Sequence, residues 1–439
     1  MQAKRIDEVI RESHTMPLPR LVTRDLAAPF PRATRCVSIV GPRRAGKTFY
    51  LYQRMRDLAD AGVERTRTLR LDFEDDRLYP ATGQDLDAVW RTYRSMYPAH
   101  SEGTTHLFLD EVQAVDGWER FVRRLLDTQD VQVLLTGSSS RMLTSELASA
   151  MRGRSVSYVL LPYSFQEYVR ARGREVPEHQ APTERAWTVN MLRDYLRFGG
   201  FPEVAREDDA GAKVRKLSEY VDLMLMRDVV ERHGAKNIKA LRLMLSAIMA
   251  SVGSEFSVFK LRGRLASIGI DVSKDTMYAY MGHLVDAFAA FQVRRWEGSR
   301  WASEQALPKV YPIDTGYIAQ SGGRSAEDMG RLMECAVAVE MLRRRSTDPT
   351  MEFGFWRDRN GAEVDFVISQ GARVLQLVQS CYDVSDPNTR AREVASLLKA
   401  GRALGCDELT VLTWDHEEEA LAEGRRVDFR PVWKWFLGR

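Results

Sequence analysis

Cys36-Val37-Ser38-Ile39-Val40-Gly41-Pro42-Arg43-Arg44-Ala45-Gly46-Lys47-Thr48-Phe49 is the stretch that decides the fold. Its first five residues are a short apolar run of the kind that fills a buried strand, and after Lys47 the residues Leu51, Met55 and Leu58 recur at helical spacing. Between the two, Gly41 to Thr48 fits G-x-x-x-x-G-K-[ST], in the strand–loop–helix context that the motif requires. Backbone N–H groups of such a loop wrap phosphates, and the start of the helix adds partial positive charge. Lys47 is expected to reach the β and γ phosphates of ATP, and the Thr48 hydroxyl to ligate Mg²⁺. Gly41 through Phe49 are therefore the expected cofactor-binding residues.

About sixty residues on, His106-Leu107-Phe108-Leu109-Asp110-Glu111 reads as an apolar strand ending in two carboxylates. Asp110 would hold the Mg²⁺ shell through water, and Glu111 would polarise the attacking water. The competing reading makes Asp110 the cap of a helix over Val112–Trp118. Downstream, Val133-Leu134-Leu135-Thr136-Gly137-Ser138-Ser139-Ser140 places hydroxyls at the carboxyl end of a strand, where open parallel sheets bind ligands. Ser138 there is either a γ-phosphate sensor or part of a helix cap before Arg141-Met142-Leu143. Arg152 and Arg154, in Met151-Arg152-Gly153-Arg154, are either solvated surface cations or an arginine finger reaching a neighbouring copy.

Outward from these motifs, Leu69, Leu71 and Phe73 alternate with polar residues, and Val131–Leu135 and Ser157–Leu161 are further apolar runs. Strands separated by helical segments imply a parallel sheet. Past Pro162 the pattern becomes helical, and from about Asn237 to Glu297 it predicts three helices and a short strand, Phe291–Trp296, the outline of a winged helix. The last third returns to α/β, with strands near Phe353–Trp356, Glu363–Ile368, Arg373–Val378 and Leu409–Trp414.

With 439 residues the chain suits two or three domains, and 44% hydrophobic against 28% charged residues is a soluble composition. No run approaches the roughly 20 apolar residues that cross a bilayer, and the N-terminus lacks the apolar core of a secretory signal. A cytoplasmic protein without a membrane partner is expected. Cys36, Cys335, Cys381 and Cys406 form no CxxC pair and the seven histidines are dispersed, so neither disulfides nor a closely spaced zinc site is indicated. The net charge of +3, from 64 basic and 61 acidic residues, neither demands nor excludes nucleic acid.

Taken in order, Gly41–Thr48, Leu109-Asp110-Glu111-Val112-Gln113, Thr136-Gly137-Ser138-Ser139, Arg152-Gly153-Arg154, Phe198-Gly199-Gly200-Phe201-Pro202-Glu203 and Arg227-Asp228-Val229-Val230-Glu231-Arg232 resemble a bacterial and archaeal family of AAA+ ATPases. Its members join an AAA domain to a C-terminal region of unknown function. The resemblance implies an ATPase domain, a winged helix and a C-terminal domain similar to restriction-endonuclease-like nucleases. The expected α/β architecture is a P-loop AAA+ core over 1–160, a helical lid over 161–235, a winged helix over 236–305 and a nuclease-like domain over 306–439.

Nucleases of that fold hold Mg²⁺ with a helix glutamate, a strand Asp and an E-x-K on the next strand. Here Asp365 fits the strand position, and Glu334 or Glu340 the helix. Leu377 stands where the strand glutamate belongs and Gln379 where the lysine belongs, so no nuclease activity is expected. On the third helix of the winged-helix pattern Lys274 and Tyr278 point to a DNA groove, with Lys260, Arg262, Arg264, Arg294, Arg295 and Arg300 nearby. Two functions follow as expectations: an ATPase that assembles as a homo-oligomer, as a ring if an arginine finger operates, and acts on DNA by its shape; or a nucleotide-controlled switch that holds a protein partner.

Overall fold

The computed structural model describes residues 3–30, 34–78, 80–139, 151–178, 181–321 and 328–438. The chain divides into two compact units, Met1–Leu160 and Leu161–Arg439.

The first unit runs α1 (Ala3–Thr15), β1 (Cys36–Val40), α2 (Lys47–Asp60), β2 (Thr68–Asp72), β3 (Ala81–Thr82), α3 (Gly83–Met96), β4 (Thr105–Asp110), β5 (Val115–Asp116), α4 (Trp118–Thr128), β6 (Val131–Gly137) and β7 (Ser155–Val159). Five of these strands form a parallel sheet in the order β2-β4-β6-β1-β7. β1 and β4 are buried along their whole length, which is why they read as continuous apolar runs. Val37, Ile39, Phe108 and Leu134 of the sheet pack with Tyr50, Leu51, Met55 and Leu58 of α2. Edge strand β2 is closed off by α1: the Ser13 hydroxyl accepts the Arg70 N–H at 3.0 Å, satisfying a backbone donor an edge strand would leave open. In register, Asp72 faces Asp110, and Val40 lies between Gly137 and Val159. All these strands thus end at one rim, the carboxyl edge where such sheets bind ligands. β7 begins and ends two residues before the stretch read from sequence.

The second unit opens with α5 (Phe165–Ala171), α6 (Pro182–Phe198), α7 (Pro202–Ala205) and α8 (Ala210–Leu223), followed by a π-helical stretch, Met224–Glu231. That stretch buries Asp228, which pairs with Arg232 at 3.2 Å. Next come α9 (Ile238–Ala250), α10 (Val258–Ser267) and α11 (Lys274–Asp286), then an antiparallel hairpin of β8 (Ala290–Val293) and β9 (Lys309–Pro312) that has α12 (Arg300–Gln305) in its connection. The strand expected over Phe291–Trp296 is therefore shifted toward Ala290 and gains a partner. α13 (Gly316–Gln320) and α14 (Met329–Thr347) lead into a six-stranded sheet of order β10-β11-β12-β13-β15-β14. Its strands are β10 (Glu352–Arg357), β11 (Glu363–Gln370), β12 (Arg373–Ser380), β13 (Leu409–Thr413), β14 (Glu418–Ala422) and β15 (Arg425–Pro431), with α15 (Pro387–Leu404) between β12 and β13 and α16 (Val432–Phe436) at the end. α15 packs its Leu397, Leu398 and Ala400 onto the sheet residues Val364, Leu377 and Val411.

Candidate functional site

At the rim of the first sheet the chain leaves β1 at Val40, turns through Pro42–Gly46 and enters α2 at Lys47. A Cβ on Gly41 would lie 2.1 Å from the Leu160 carbonyl oxygen, so only glycine lets the loop pass β7's exit. Gly46 takes a left-handed conformation, and no side chain caps the α2 N-terminus, whose N–H groups face the loop. Lys47 is buried and donates to the Gly41 and Pro42 carbonyls, both at 3.2 Å, while its ammonium pairs with Glu111 Oε1 at 3.2 Å. Arg43 reaches Glu74 at 2.8 Å; Arg44, at φ 67°, is exposed. Thr48 is half-buried on the first turn of α2, and Phe49 is exposed beside it.

Glu111 has φ 51°, a left-handed turn that carries its carboxylate off the end of β4 toward Lys47. Burial opposes its ionisation, but the Lys47 ammonium, the Gln113 amide and Arg43 outweigh that and hold its carboxyl below the ordinary range. Gln113 donates to Glu111 Oε2 at 2.5 Å and to the Ser138 hydroxyl at 3.4 Å. Ser138 is fully buried at the exit of β6. The helix that the competing reading gives Asp110 to cap is absent: a 3₁₀ turn spans Val112–Ala114, and α4 starts only at Trp118 behind Gly117. Asp110 instead accepts Arg70 at 2.8 Å on Oδ2 and the Thr136 hydroxyl at 2.5 Å on Oδ1, and Thr136 accepts the Glu111 N–H at 2.8 Å. Ser140 and Arg141–Leu143, the place of the alternative Ser-rich helix cap, lie outside the described residues.

Two contributors, Arg24 and Arg70, carried no motif signal, whereas Thr136 and Gln113 stand within the Thr136–Ser139 and Leu109–Gln113 motifs without a role of their own there. Arg24, buried, donates to the Ala45 carbonyl at 2.8 Å and buttresses the loop, while Gln53 bonds both its N–H and its carbonyl. Arg70, Thr136 and Gln113 bond the two carboxylates as described. Period-2 alternation put Arg70 on β2 but gave no reason to look at it. Arg152 and Arg154 precede β7, whose first residue Ser155 faces Cys36, the first residue of β1. They lie at the rim opposite the P-loop, about 13–16 Å of strand away. Arg154 is taken up by Asp127, whereas Arg152 is exposed with φ 50°.

In the second unit Glu334 of α14 and Asp365 of β11 come together, and Glu340 does not join them because Arg343 and Arg344 hold it. Between them lies Lys309, whose ammonium contacts Glu334 Oε1 at 3.1 Å, Glu363 Oε1 at 2.7 Å and Asp365 Oδ1 at 3.2 Å. Leu377 is in the core, and Gln379 accepts the Asp365 N–H at 3.2 Å while donating to Glu393 at 2.7 Å. Of the cations expected near a DNA surface, Arg262 bonds the Val272 carbonyl, Arg294 pairs with Glu304, and Arg295 bonds the Arg357 carbonyl and pairs with Glu297. Lys260, Arg264, Lys274 and Tyr278 are exposed.

Residues 33–169 match an AAA domain, residues 189–328 a domain of unknown function (DUF8612) and residues 329–426 another (DUF4143). An uncharacterized protein of Methanocaldococcus jannaschii is 30% identical over 405 residues, covering 91% of this chain and 87% of that protein. One of Haemophilus influenzae is 24% identical over 349 residues, covering 79% and 82%. Among solved structures, a Walker-type ATPase of Pyrococcus abyssi is similar at 13% identity and TM-score 0.43, with 73% of this chain and 95% of that chain covered. The Aeropyrum pernix ORC1 protein in complex with DNA is similar at 14% identity and TM-score 0.30, with 77% and 93% covered. No helix among the described residues is long and apolar enough to cross a membrane.

Proposed function

Because the chain belongs to the family of AAA+ ATPases that carry C-terminal domains of unknown function, we propose that it binds ATP with Mg²⁺ on Gly41–Phe49 and hydrolyses it. The observation that carries this reading is the Lys47–Glu111 contact across the loop: the phosphate-binding cation and the water-activating carboxylate face each other over one rim. A γ-phosphate entering between them takes over the Lys47 ammonium and leaves Glu111 held by Gln113. Thr48 on the first turn of α2 and Asp110 at the end of β4 would hold Mg²⁺. When bound, the ion would supply neutralisation of the charge that develops on the phosphoryl oxygens. The Gln113 bridge between Glu111 and Ser138 supports Ser138 as the γ-phosphate sensor.

The test compares ATP binding with turnover. Lys47→Ala weakens binding. Glu111→Gln retains binding and loses turnover by on the order of 100-fold or more. Equal ATPase rates for Glu111→Gln and wild type would remove Glu111 from the chemistry.

We further propose that the three helices and hairpin over 238–312 form a winged helix that engages DNA by its backbone, coupled to ATP turnover. What favours it is that α11 begins on an exposed Lys274 and Tyr278, with Lys260 and Arg264 exposed on the preceding helix. Arg294 and Arg295 are poor probes because they hold internal partners. Lys260→Glu/Lys274→Glu is expected to weaken binding at all sequences alike and to lower the salt slope by about 2. A protein-binding switch predicts instead that DNA leaves ATPase rate and gel mobility unchanged, and that outcome would end the DNA reading.

A further inference from the structure

The carboxylates of a restriction-endonuclease-like domain serve a divalent cation, and three of them meet here on α14 and β11. We infer that the Lys309 ammonium occupies the place of that cation, so that the C-terminal sheet is built around a covalently attached charge and takes up no metal. This inference rests on the nuclease-like reading of the domain and is independent of whether the chain binds DNA.

The geometry gives three reasons. An ammonium has three donors and no acceptor. Those of Lys309 meet one oxygen each of Glu334, Glu363 and Asp365 at 2.7–3.2 Å, so none is left over. Further contacts to these carboxylates come from the protein. Tyr311 donates its hydroxyl to Glu334 Oε1 at 2.6 Å, Ser380 donates its N–H to Asp365 Oδ2 at 3.0 Å, and Arg357 lies 3.7 Å from Glu363 Oε2. A Mg²⁺ ion needs oxygens at about 2.0–2.1 Å and several waters of its own, which requires the ammonium to leave.

Lys309 has nowhere to go. Only 1% of it is exposed, its backbone pairs with Val293 in the β8–β9 hairpin, and its ammonium lies 5.5 Å from the centre of the Phe355 ring. Burial discourages its charge, but the three carboxylates overcome that and raise its titration. Burial and mutual repulsion push Glu334 and Asp365 upward, as expected for three acids sharing one near cation. The arrangement also ties β9 to α14 and β11, residues 25 and 56 positions apart in sequence, which is the structural work a metal does elsewhere.

The experiment is a Mn²⁺ titration of the full chain without nucleotide, in the Lys47→Ala background so that the P-loop is not read, followed by calorimetry and by the shift in thermal unfolding. The chain with Lys309 intact is expected to show no Mn²⁺ uptake that Asp365→Asn removes. Lys309→Ala, and Lys309→Met, which keeps the stem but drops the charge, are expected to unfold at lower temperature and to be restored by Mn²⁺. Their affinity should exceed that of the Lys309 chain at least tenfold, and adding Asp365→Asn should abolish it. Uptake by the Lys309 chain that disappears in Asp365→Asn overturns the inference, as do folded Lys309 variants that gain no affinity. If neither variant folds, the Lys309 and Asp365→Asn titrations alone decide. ATPase rate and DNA binding are not read, so failure here is distinguishable from failure of the proposed function.

Discussion

At the scale of single residues, the carboxylate pair Asp110–Glu111 shows how neighbours acquire different roles. Glu111 turns left-handed toward Lys47; Asp110, only 1% exposed, stays on the strand line and faces Arg70 and Thr136. Removing one partner of a buried ion pair leaves the other charge uncompensated, which costs about 3–5 kcal/mol. Arg70 retains some exposure and Thr136 still bonds Asp110, so the lower end applies. Arg70→Ala is expected to destabilise the chain by about 3 kcal/mol in denaturant unfolding, and adding Asp110→Asn should return part of it. A silent Arg70→Ala would show that Asp110 needs no cation. Gln113 closes the Leu109-Asp110-Glu111-Val112-Gln113 motif, which assigns it no role of its own; its position between Glu111 and Ser138 gives it one.

At the scale of elements, Phe198-Gly199-Gly200-Phe201 is a junction. Asp314, buried before α13, accepts the Gly200 N–H and the Gly316 N–H, both at 2.8 Å. A Cβ on Gly199, at φ 75°, would fall 1.6 Å from Asp314 Oδ1. Gly199→Ala therefore meets both backbone strain, on the order of 1–3 kcal/mol, and a collision. A thermal melt within error of wild type would contradict this. Burial pushes the Asp314 carboxyl up to about 6 against the pull of its two N–H donors. The native state then holds the proton more tightly than the unfolded chain, so the group's contribution is most favourable below about pH 4 and declines as pH rises to about 6. The stability advantage of wild type over Asp314→Asn should accordingly be larger at pH 4 than at pH 7. A constant difference across that range would exclude this titration.

The same scale explains strands that the sequence left unread. β14 opens on Glu418-Glu419 and β15 carries charges at Arg425, Arg426, Asp428 and Arg430, leaving too few apolar residues for a buried-strand signal, yet Glu423 and Gly424 form a tight turn with φ 49° and 76°. Glu419–Arg426 and Arg390–Glu418 ion pairs line this edge, charging it against association with another sheet.

At the scale of the whole molecule the position of Arg152 bears on assembly. Arg152 lies at the rim of its own sheet opposite Lys47, so it reaches phosphate only in a neighbouring copy. If it does, the copies associate head to tail, and Arg152→Ala binds ATP normally while hydrolysing it about 1000-fold more slowly or worse. Arg154, engaged by Asp127, should matter less. Light scattering that finds a monomer with ATP and Mg²⁺, at full wild-type rate, would exclude the finger.

What the sequence determined is what short spacing encodes. Gly41–Thr48 between a strand and a helix fixes the phosphate loop, and the apolar runs of β1, β4 and β6 fix a buried parallel sheet, because backbone conformation and side-chain period are local properties. Leu377 and Gln379 likewise show that β12 carries neither a glutamate nor a lysine at those positions. The sequence could not say what stands in their place. Lys309 comes from a hairpin 56 residues before Asp365, and Arg70 from a strand 40 residues before Asp110. A buried charge is stabilised only by the partner that packing brings within about 3 Å, and which one arrives there is decided by the tertiary structure.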